Sequence, residues 1–229
     1  MLKFTTTDAA GQLHGVKILI YGRSGVGKTT LAGTTPDVLM LSAEAGVLSL
    51  RDKSIPMIQI TTVAELSEAY HWITTNPQAK GFKTIFLDSI TEIAEQILSN
   101  AKLQVKDPRQ AYGELIEKMN MLVRSFRDLP GKNVVMLAKQ ESHLDEVSKM
   151  TMFGPAMPGS KVSQQLPYLF DEVFRLGVGK TPDGTEYRFL QTQPDLQYEA
   201  KDRSGVLDAI EPPNLSHIFN KILTTPRKQ

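Results

Sequence analysis

Short apolar runs alternate with longer segments of helical spacing over the first 140 residues of the chain. The apolar runs are rich in β-branched residues and end at Gly, Pro or polar positions, which is typical of strands buried on both faces. They predict strands at residues 16–21, 38–42, 57–60, 84–88 and 133–138. Apolar residues three and four positions apart predict helices at residues 63–73, after Ser89 and after Pro108. Strands that alternate with helices indicate a parallel sheet with crossover connections.

The pattern changes beyond residue 140. Residues 140–161 are polar, contain Gly and Pro and show no period, which predicts a mobile loop. Strands are then predicted at residues 172–178, 186–191 and 197–201, with a turn at Pro182-Asp183-Gly184, and a helix is predicted after Asn214. We therefore expect an α/β fold: a mainly parallel central sheet flanked by helices, with a C-terminal antiparallel extension. We expect one domain over residues 1–229, in which residues 1–15 form an N-terminal extension.

Composition limits the classes of function. The chain has 229 residues, of which 41% are hydrophobic and 22% charged, with a formal net charge of +1. This balance excludes a uniformly basic nucleic-acid-binding protein, so nucleic acid would have to bind a local patch. The absence of cysteine and of a long apolar run predicts a cytoplasmic protein with no membrane partner. The four histidines lack metal-ligand spacing, so no transition metal is expected.

A complete phosphate-binding signature follows the first predicted strand. Residues 22–30 read Gly-Arg-Ser-Gly-Val-Gly-Lys-Thr-Thr, which matches the P-loop pattern between a strand and a helix. Its glycines let backbone N–H groups surround phosphates, Lys28 contacts the β- and γ-phosphates, and the Thr29 hydroxyl binds Mg²⁺. The sequence thus predicts an ATPase that uses ATP and Mg²⁺. The predicted nucleotide-binding residues are Gly22, Arg23, Ser24, Gly25, Val26, Gly27, Lys28, Thr29 and Thr30.

Two carboxylates follow other buried strands and complete the predicted site. Asp88 ends the strand at residues 84–88 and is predicted to hold a water bound to Mg²⁺. The alternative role for Asp88 is the N-cap of the next helix. Glu44, just past the second strand, is the candidate general base for the attacking water. Its alternative is a solvent-exposed loop glutamate.

With these residues the chain resembles the RecA-type recombinase core, and more closely the phage-encoded nucleotide-binding proteins of the single-strand annealing group. The resemblance rests on the P-loop, Ser42-Ala-Glu44-Ala-Gly46, Ile85-Phe-Leu-Asp88 and Leu137-Ala-Lys-Gln140. It implies that Gln140 senses the γ-phosphate and that the following loop, to Lys161, binds DNA. It also implies that Lys201 and Arg203 reach the ATP of a neighbouring subunit, although a salt-bridged turn is an equal alternative.

The resemblance further implies an ATPase that acts on single-stranded DNA in phage recombination or strand annealing, in the cytoplasm of a bacterial host. Self-association as a ring or filament, and a single-stranded-DNA-binding protein as partner, follow from the same resemblance. The candidate DNA contacts are Lys139, Lys149 and Lys161, with Phe153 as a stacking platform. Each of these lysines has the alternative of a solvated surface residue.

Two other functions stay open at this point, because a P-loop fold does not determine what the ATPase acts on. One is an ATPase that remodels or loads a protein partner without binding DNA. The other is a nucleotide-binding interaction module with negligible turnover. Guanine specificity is disfavoured, since no Asn-Lys-x-Asp segment follows a strand.

Overall fold

A computed structural model describes residues 14–44, 46–146 and 148–226, together with Phe4 and Thr6. Most of the expected N-terminal extension, residues 1–15, lies outside the described residues. The strands are β1 Lys17–Gly22, β2 Val38–Ser42, β3 Met57–Gln59, β4 Thr84–Asp88, β5 Asn133–Leu144, β6 Thr151–Pro155, β7 Glu172–Lys180, β8 Glu186–Gln191, β9 Lys201–Asp202 and β10 Ile210–Glu211. The α-helices are α1 Val63–Thr75, α2 Ile90–Gln104, α3 Pro108–Arg127, α4 Ser160–Gln165 and α5 Leu215–Thr224. Short 3-10 helices span Thr29–Thr34, Val47–Leu50, Pro77–Gly81 and Leu166–Leu169.

The strands form one sheet in the order β10-β8-β7-β1-β5-β4-β2-β3. All pairs from β7 to β3 along this order are parallel. Strands β8, β9 and β10 join it through antiparallel pairs, and β6 pairs antiparallel with β5. The predicted α/β fold, with a mainly parallel sheet and an antiparallel C-terminal extension, is therefore confirmed.

Both faces of the sheet are covered, which explains why its central strands read as continuous apolar runs. In β1, Leu19 and Tyr21 face a core formed with helices α1, α2 and α3. Ile18 and Ile20 face a second core that includes the 3-10 helix after the P-loop and helix α5. Strand β1 thus separates two apolar cores at the centre of the sheet.

Side chains cap the first turns of three helices, each of which follows a strand. The Ser89 hydroxyl accepts a hydrogen bond from the Glu92 amide at 3.3 Å at the start of α2, and Asn214 caps α5. Thr62 and Glu65 form a reciprocal capping box at the start of α1. These caps fix where each helix leaves the strand that precedes it.

The region predicted as a loop at residues 140–161 is instead largely regular. Strand β5 continues to Leu144, β6 pairs back along it, and α4 begins at Ser160. Periodicity could not reveal this hairpin, because most of its residues lie on exposed or half-exposed faces and backbone pairing holds it together. The strand predicted at residues 197–201 shortens to Lys201–Asp202, since the Asp195 carboxylate accepts from the amides of Gln197 and Tyr198 and curls the chain.

Strand β10 was not predicted, because two residues are too few to show a period. Within the described ranges, no helix has the length and apolar character needed to cross a lipid bilayer.

Candidate nucleotide site

The P-loop begins where β1 ends at Gly22, between β7 on one side and β5 on the other. A Cβ at Gly22 would lie 2.7 Å from the carbonyl oxygen of Leu176 in β7, so the close approach of the two strands requires glycine. Gly27 has φ of +96°, a conformation that residues with a side chain rarely adopt. These glycines form the curved backbone that a phosphate-binding loop needs.

Lys28 lies across the opening of this loop. Its Nζ donates hydrogen bonds to the carbonyl oxygens of Gly22 at 2.8 Å and Arg23 at 3.1 Å. Burial lowers the pKa of Lys28, and the carboxylates of Glu44 and Asp88 oppose that effect. The ammonium therefore lies within electrostatic range of both carboxylates that the sequence analysis placed at the site.

Thr29 and Asp88 meet across the carboxyl edge of the sheet. The Thr29 hydroxyl donates to Asp88 Oδ2 at 2.6 Å, and Asp88 is only 2% exposed. Burial raises the pKa of Asp88 from 3.8 to about 6, the Thr29 hydrogen bond opposes this, and the charge of Glu44 adds to it. The N-cap of the following helix is Ser89, so the alternative role proposed for Asp88 is wrong.

Glu44 is held by the same turn. The Ser89 hydroxyl donates to Glu44 Oε1 at 2.6 Å, and the amides of Ala43 and Glu44 both donate to the carbonyl oxygen of Asp88. Ser42, at the end of β2, is paired in register with Asp88 at the end of β4. The Glu44 carboxylate is therefore oriented by the neighbouring strand end, which a mobile surface loop would not provide.

The middle of β5 lies between the P-loop strand and the strand that ends at Asp88. Lys139 is opposite Gly22 in the sheet register, and its ammonium bonds to the carboxylates of Glu92 and Glu95 at 3.1 Å each. This candidate DNA contact is thus engaged in ion pairs within its own chain. Gln140 follows it, half-buried and opposite Pro155 of β6. Its role as a γ-phosphate sensor stays a prediction.

Phe153, the candidate stacking platform for DNA, is already stacked. Its ring lies 5.0 Å from that of Tyr198 at an interplanar angle of 19°. The Arg175 guanidinium covers Tyr198 at 3.5 Å from the ring centroid. The Tyr21 hydroxyl also donates to the carbonyl oxygen of Phe153 at 3.2 Å. These contacts fasten β6 to the sheet and make Phe153 a packing residue.

The two remaining candidate DNA lysines lie apart from each other. Lys149 is at the turn between β5 and β6, exposed, with φ of +57°. Lys161 is exposed on α4 and lines a groove of about 390 Å³ with Arg109 and Tyr112. Lys102 lies 5.6 Å from the centroid of the Tyr112 ring and adds a third positive charge. We call the surface of Lys102, Arg109, Tyr112 and Lys161 the basic groove.

Lys201 and Arg203 lie at the opposite edge of the sheet from the P-loop of their own chain, because β9 pairs with the amino end of β7. The Lys201 ammonium donates to the carbonyl oxygens of Pro167, at 2.7 Å, and Phe170. Arg203, 60% exposed, pairs with Asp171 at 3.0 Å. The proposed role of both residues in a neighbouring subunit stays a prediction.

Sequence reasoning missed one charged residue at the site. Arg188 of β8 lies against Gly27: a Cβ on that glycine would be 3.3 Å from the Arg188 Nε. The alternation of β8 gave a signal that Arg188 and Leu190 share a face. No pattern in the sequence indicates the strand register that brings this face to the P-loop.

The fold and this arrangement define the class as a P-loop nucleotide-binding domain. Residues 14–204 match the AAA_24 family, described as an AAA domain, and the chain belongs to that family. Membership supports a nucleotide hydrolase activity of the P-loop type. None of the curated proteins compared with this chain matches it.

Several solved structures are similar to the chain. The flagellar accessory protein FlaH from Methanocaldococcus jannaschii is 13% identical, with 84% of this chain and 82% of FlaH covered and a TM-score of 0.43. A KaiC-like protein from Pyrococcus horikoshii OT3 is 15% identical, with 77% and 78% covered and a TM-score of 0.42. The RadB recombinase is 16% identical, with 88% and 92% covered and a TM-score of 0.41. Likenesses this distant indicate no activity for this chain.

Proposed function

We propose that this chain hydrolyses ATP with Mg²⁺ at the carboxyl edge of its sheet. The observation that carries the proposal is the pair of hydrogen bonds beside the P-loop, from Thr29 to Asp88 and from Ser89 to Glu44, each 2.6 Å long. They bring together a hydroxyl that can bind a metal ion, a buried carboxylate and an oriented second carboxylate. Hydrolysis by a P-loop enzyme needs these groups.

The donor set fits a magnesium nucleotide. Hydroxyl and carboxylate oxygens are the ligands that Mg²⁺ prefers, and Thr29 and Asp88 offer one of each in contact. Thr29 would bind the ion directly and Asp88 would hold one of its waters. An ion held there would neutralise charge on the phosphate oxygens. Lys28, at the opening of the loop, adds positive charge at the β- and γ-phosphates.

Glu44 is the proposed general base. Its carboxylate stands at the end of β2, and the Ser89 hydroxyl fixes one oxygen. A carboxylate held in this way can orient a water and accept its proton as the water attacks the γ-phosphate. Gln140, which follows Lys139 within β5, is proposed to sense that phosphate.

Glu44→Gln tests this assignment, with Glu68→Gln on the exposed face of α1 as a matched control. The variant should bind ATP with Mg²⁺ as the wild type does, yet hydrolyse it at least ~100-fold more slowly, because the amide cannot accept the proton. The Lys28→Ala protein should lose hydrolysis as well. Turnover by Glu44→Gln near the wild-type rate would remove Glu44 from the reaction.

We propose that this ATPase acts on single-stranded DNA, as the RecA-type resemblance implies. We also propose that the protein assembles as a ring or filament. A single-stranded-DNA-binding protein is the proposed partner. The basic groove supports DNA binding. It combines three cationic side chains with an aromatic ring, the combination that binds phosphates and stacks bases. The other candidate DNA contacts contribute less to this proposal. Lys139 and Phe153 are engaged within the chain, and Lys149 lies apart from the basic groove, at the β5–β6 turn.

A protein partner is the second candidate, and the charge of another surface favours it. A groove of about 930 Å³ beside the β5–β6 hairpin is lined by Glu141, Asp145, Glu146, Asp195 and Glu199, with His143 as its basic residue. Such a surface repels a phosphate backbone and suits a basic protein segment. Since Gln140 itself pairs with Pro155 in this hairpin, a partner there would lie close to the residue proposed to sense the γ-phosphate.

Lys161→Ala combined with Arg109→Ala separates the two candidates. The control is Lys80→Ala with Lys180→Ala, which removes the same charge from exposed positions elsewhere. Loss of the groove charges should weaken single-strand binding and flatten its salt dependence by about 0.7 per lost phosphate contact. ATP hydrolysis without DNA should be unchanged. Wild-type protein that binds no DNA with ATP would support the protein partner instead.

A further inference from the structure

The β7–β8 hairpin extends past the carboxyl edge of the sheet on one side of the P-loop. Strand β7 pairs with β1 up to the register of Tyr21 with Arg175, and then continues to Lys180. Strand β8 returns along it from Glu186. The part of the hairpin beyond Arg175 therefore stands beside the phosphate-binding loop.

One face of β8 is directed at this loop. Leu190 is fully buried in the core that contains Val26 of the P-loop and Leu31 of the following 3-10 helix. Arg188, two residues earlier, lies on the same face of the strand. Its side chain reaches Gly27, where an added Cβ would lie 3.3 Å from Nε and 3.5 Å from Cδ, and also 3.3 Å from the hydroxyl of Thr30.

The contacts of Arg188 differ from those of the other cations on the hairpin. Arg175 bonds to Gln191 and covers Tyr198, and Lys180 pairs with Glu186. The Arg188 side chain has no hydrogen bond or ion pair to any residue in the described part of the chain. An arginine with five free donors thus lies next to a loop whose backbone is shaped for phosphate.

We propose that Arg188 binds the phosphates of the nucleotide held by the P-loop of its own chain. This inference rests on the nucleotide site proposed above. The strand order β8-β7-β1-β5-β4-β2 puts Arg188 on one side of the P-loop and Asp88 and Glu44 on the other. Arg188 therefore meets the phosphates from the side away from the hydrolysing carboxylates, near Gly27 and Thr30. This position assigns it to the α- and β-phosphates, which ATP and ADP share.

The expected signature is a ground-state binding defect that is the same for both nucleotides. A charge-assisted hydrogen bond to phosphate supports a loss on the order of 10- to 100-fold in affinity when Arg188 is removed. Arg188→Ala should weaken ATP and ADP binding by the same factor within that range. Arg188→Lys keeps the charge but not the planar guanidinium, so its affinities should lie between those of Arg188→Ala and the wild type. At saturating ATP, the substitution should lower the hydrolysis rate by a smaller factor than it lowers the two affinities, since the contact is made to phosphates that ATP and ADP share.

Calorimetric titration of the full chain with ATP and with ADP tests the proposal, with Lys180→Ala as the control that removes a charge from the same hairpin. Thermal denaturation without nucleotide should give the same midpoint for Arg188→Ala and wild type, since the side chain carries no core packing. Unchanged affinities in Arg188→Ala would overturn the proposal. So would a loss confined to ATP or to the hydrolysis rate, which would describe a residue acting on the γ-phosphate. Failure of the wild-type protein to bind either nucleotide would overturn the proposed function itself.

Discussion

Asp88→Asn should stabilise the protein in the absence of nucleotide while removing its hydrolysis. Asp88 is buried next to Glu44, and its carboxylate has lost most of its hydration. An asparagine at this position carries no charge and can still accept the hydrogen bond from the Thr29 hydroxyl. The substitution therefore removes an unfavourable buried charge together with a group that we assign to magnesium binding.

The pKa of Asp88 determines how large this gain in stability should be. Its rise from 3.8 to about 6 corresponds to roughly 3 kcal/mol, at about 1.4 kcal/mol per pH unit. A carboxyl group whose pKa is higher in the folded state binds its proton more tightly there. Its stabilising contribution is thus fully present below pH ~4 and is lost as the pH rises to about 6. The Asn variant lacks this loss, so the difference between its free energy of unfolding and that of the wild type should grow between pH ~4 and ~6. Above that pH the difference should stay constant at about 2–3 kcal/mol.

Urea unfolding at a series of pH values between 4 and 8 measures this difference. The control is Asp52→Asn, which alters a carboxylate whose side chain is 87% exposed and should change stability little at any pH. With Mg²⁺ and ATP, the Asp88→Asn variant should hydrolyse at least ~100-fold more slowly than wild type. A variant that is less stable than wild type at pH 7.5, or a difference that does not vary with pH, would refute the reasoning about the buried charge.

Two further predictions concern the loop and the opposite edge of the sheet. Gly22→Ala places a Cβ 2.7 Å from the Leu176 carbonyl oxygen, so β7 must shift. We expect urea unfolding to show a free energy of unfolding that is lower by about 1–3 kcal/mol, and an unaltered value would contradict the close contact. Arg203→Ala tests action in trans, because Lys201 is held by carbonyl groups of its own chain while Arg203 is 60% exposed. The variant should bind ATP but lose hydrolysis, and mixing it with Lys28→Ala should restore part of the activity; co-assembled proteins that stay inactive would exclude this role.

The features that could be predicted from the sequence are those that a short run of neighbouring residues determines. Strand β4 is a run of buried residues between polar ends, and its bounds, Thr84–Asp88, were predicted without error. The P-loop could be recognised because its glycines, lysine and threonine all lie at fixed spacings within residues 22–29. Asp88 and Glu44 could be placed at one edge because parallel strands end on the same side of a sheet.

The features that the sequence did not reveal depend on which distant segments come together. Most residues that pair in the β5–β6 hairpin are exposed or half-exposed, so no apolar period marks it. The ion pairs of Lys139 with α2, and the stacking of Phe153 on Tyr198, require a tertiary arrangement that no local pattern encodes. Arg188 is the clearest case, since only the register of β7 with β8 brings it to Gly27.

The central position of β1 has a consequence for how the chain acquires its site during synthesis. Strand β1 carries the P-loop and pairs with β5 and β7. The contact between Val16 and Asn133 at its start joins residues 117 positions apart. A ribosome must therefore produce more than half of the chain before the P-loop strand gains its first neighbour, and the second comes only with β7. The apolar strand thus has two open edges until β5 is made and one until β7 is made, and each unpaired edge is a site at which the growing chain can aggregate.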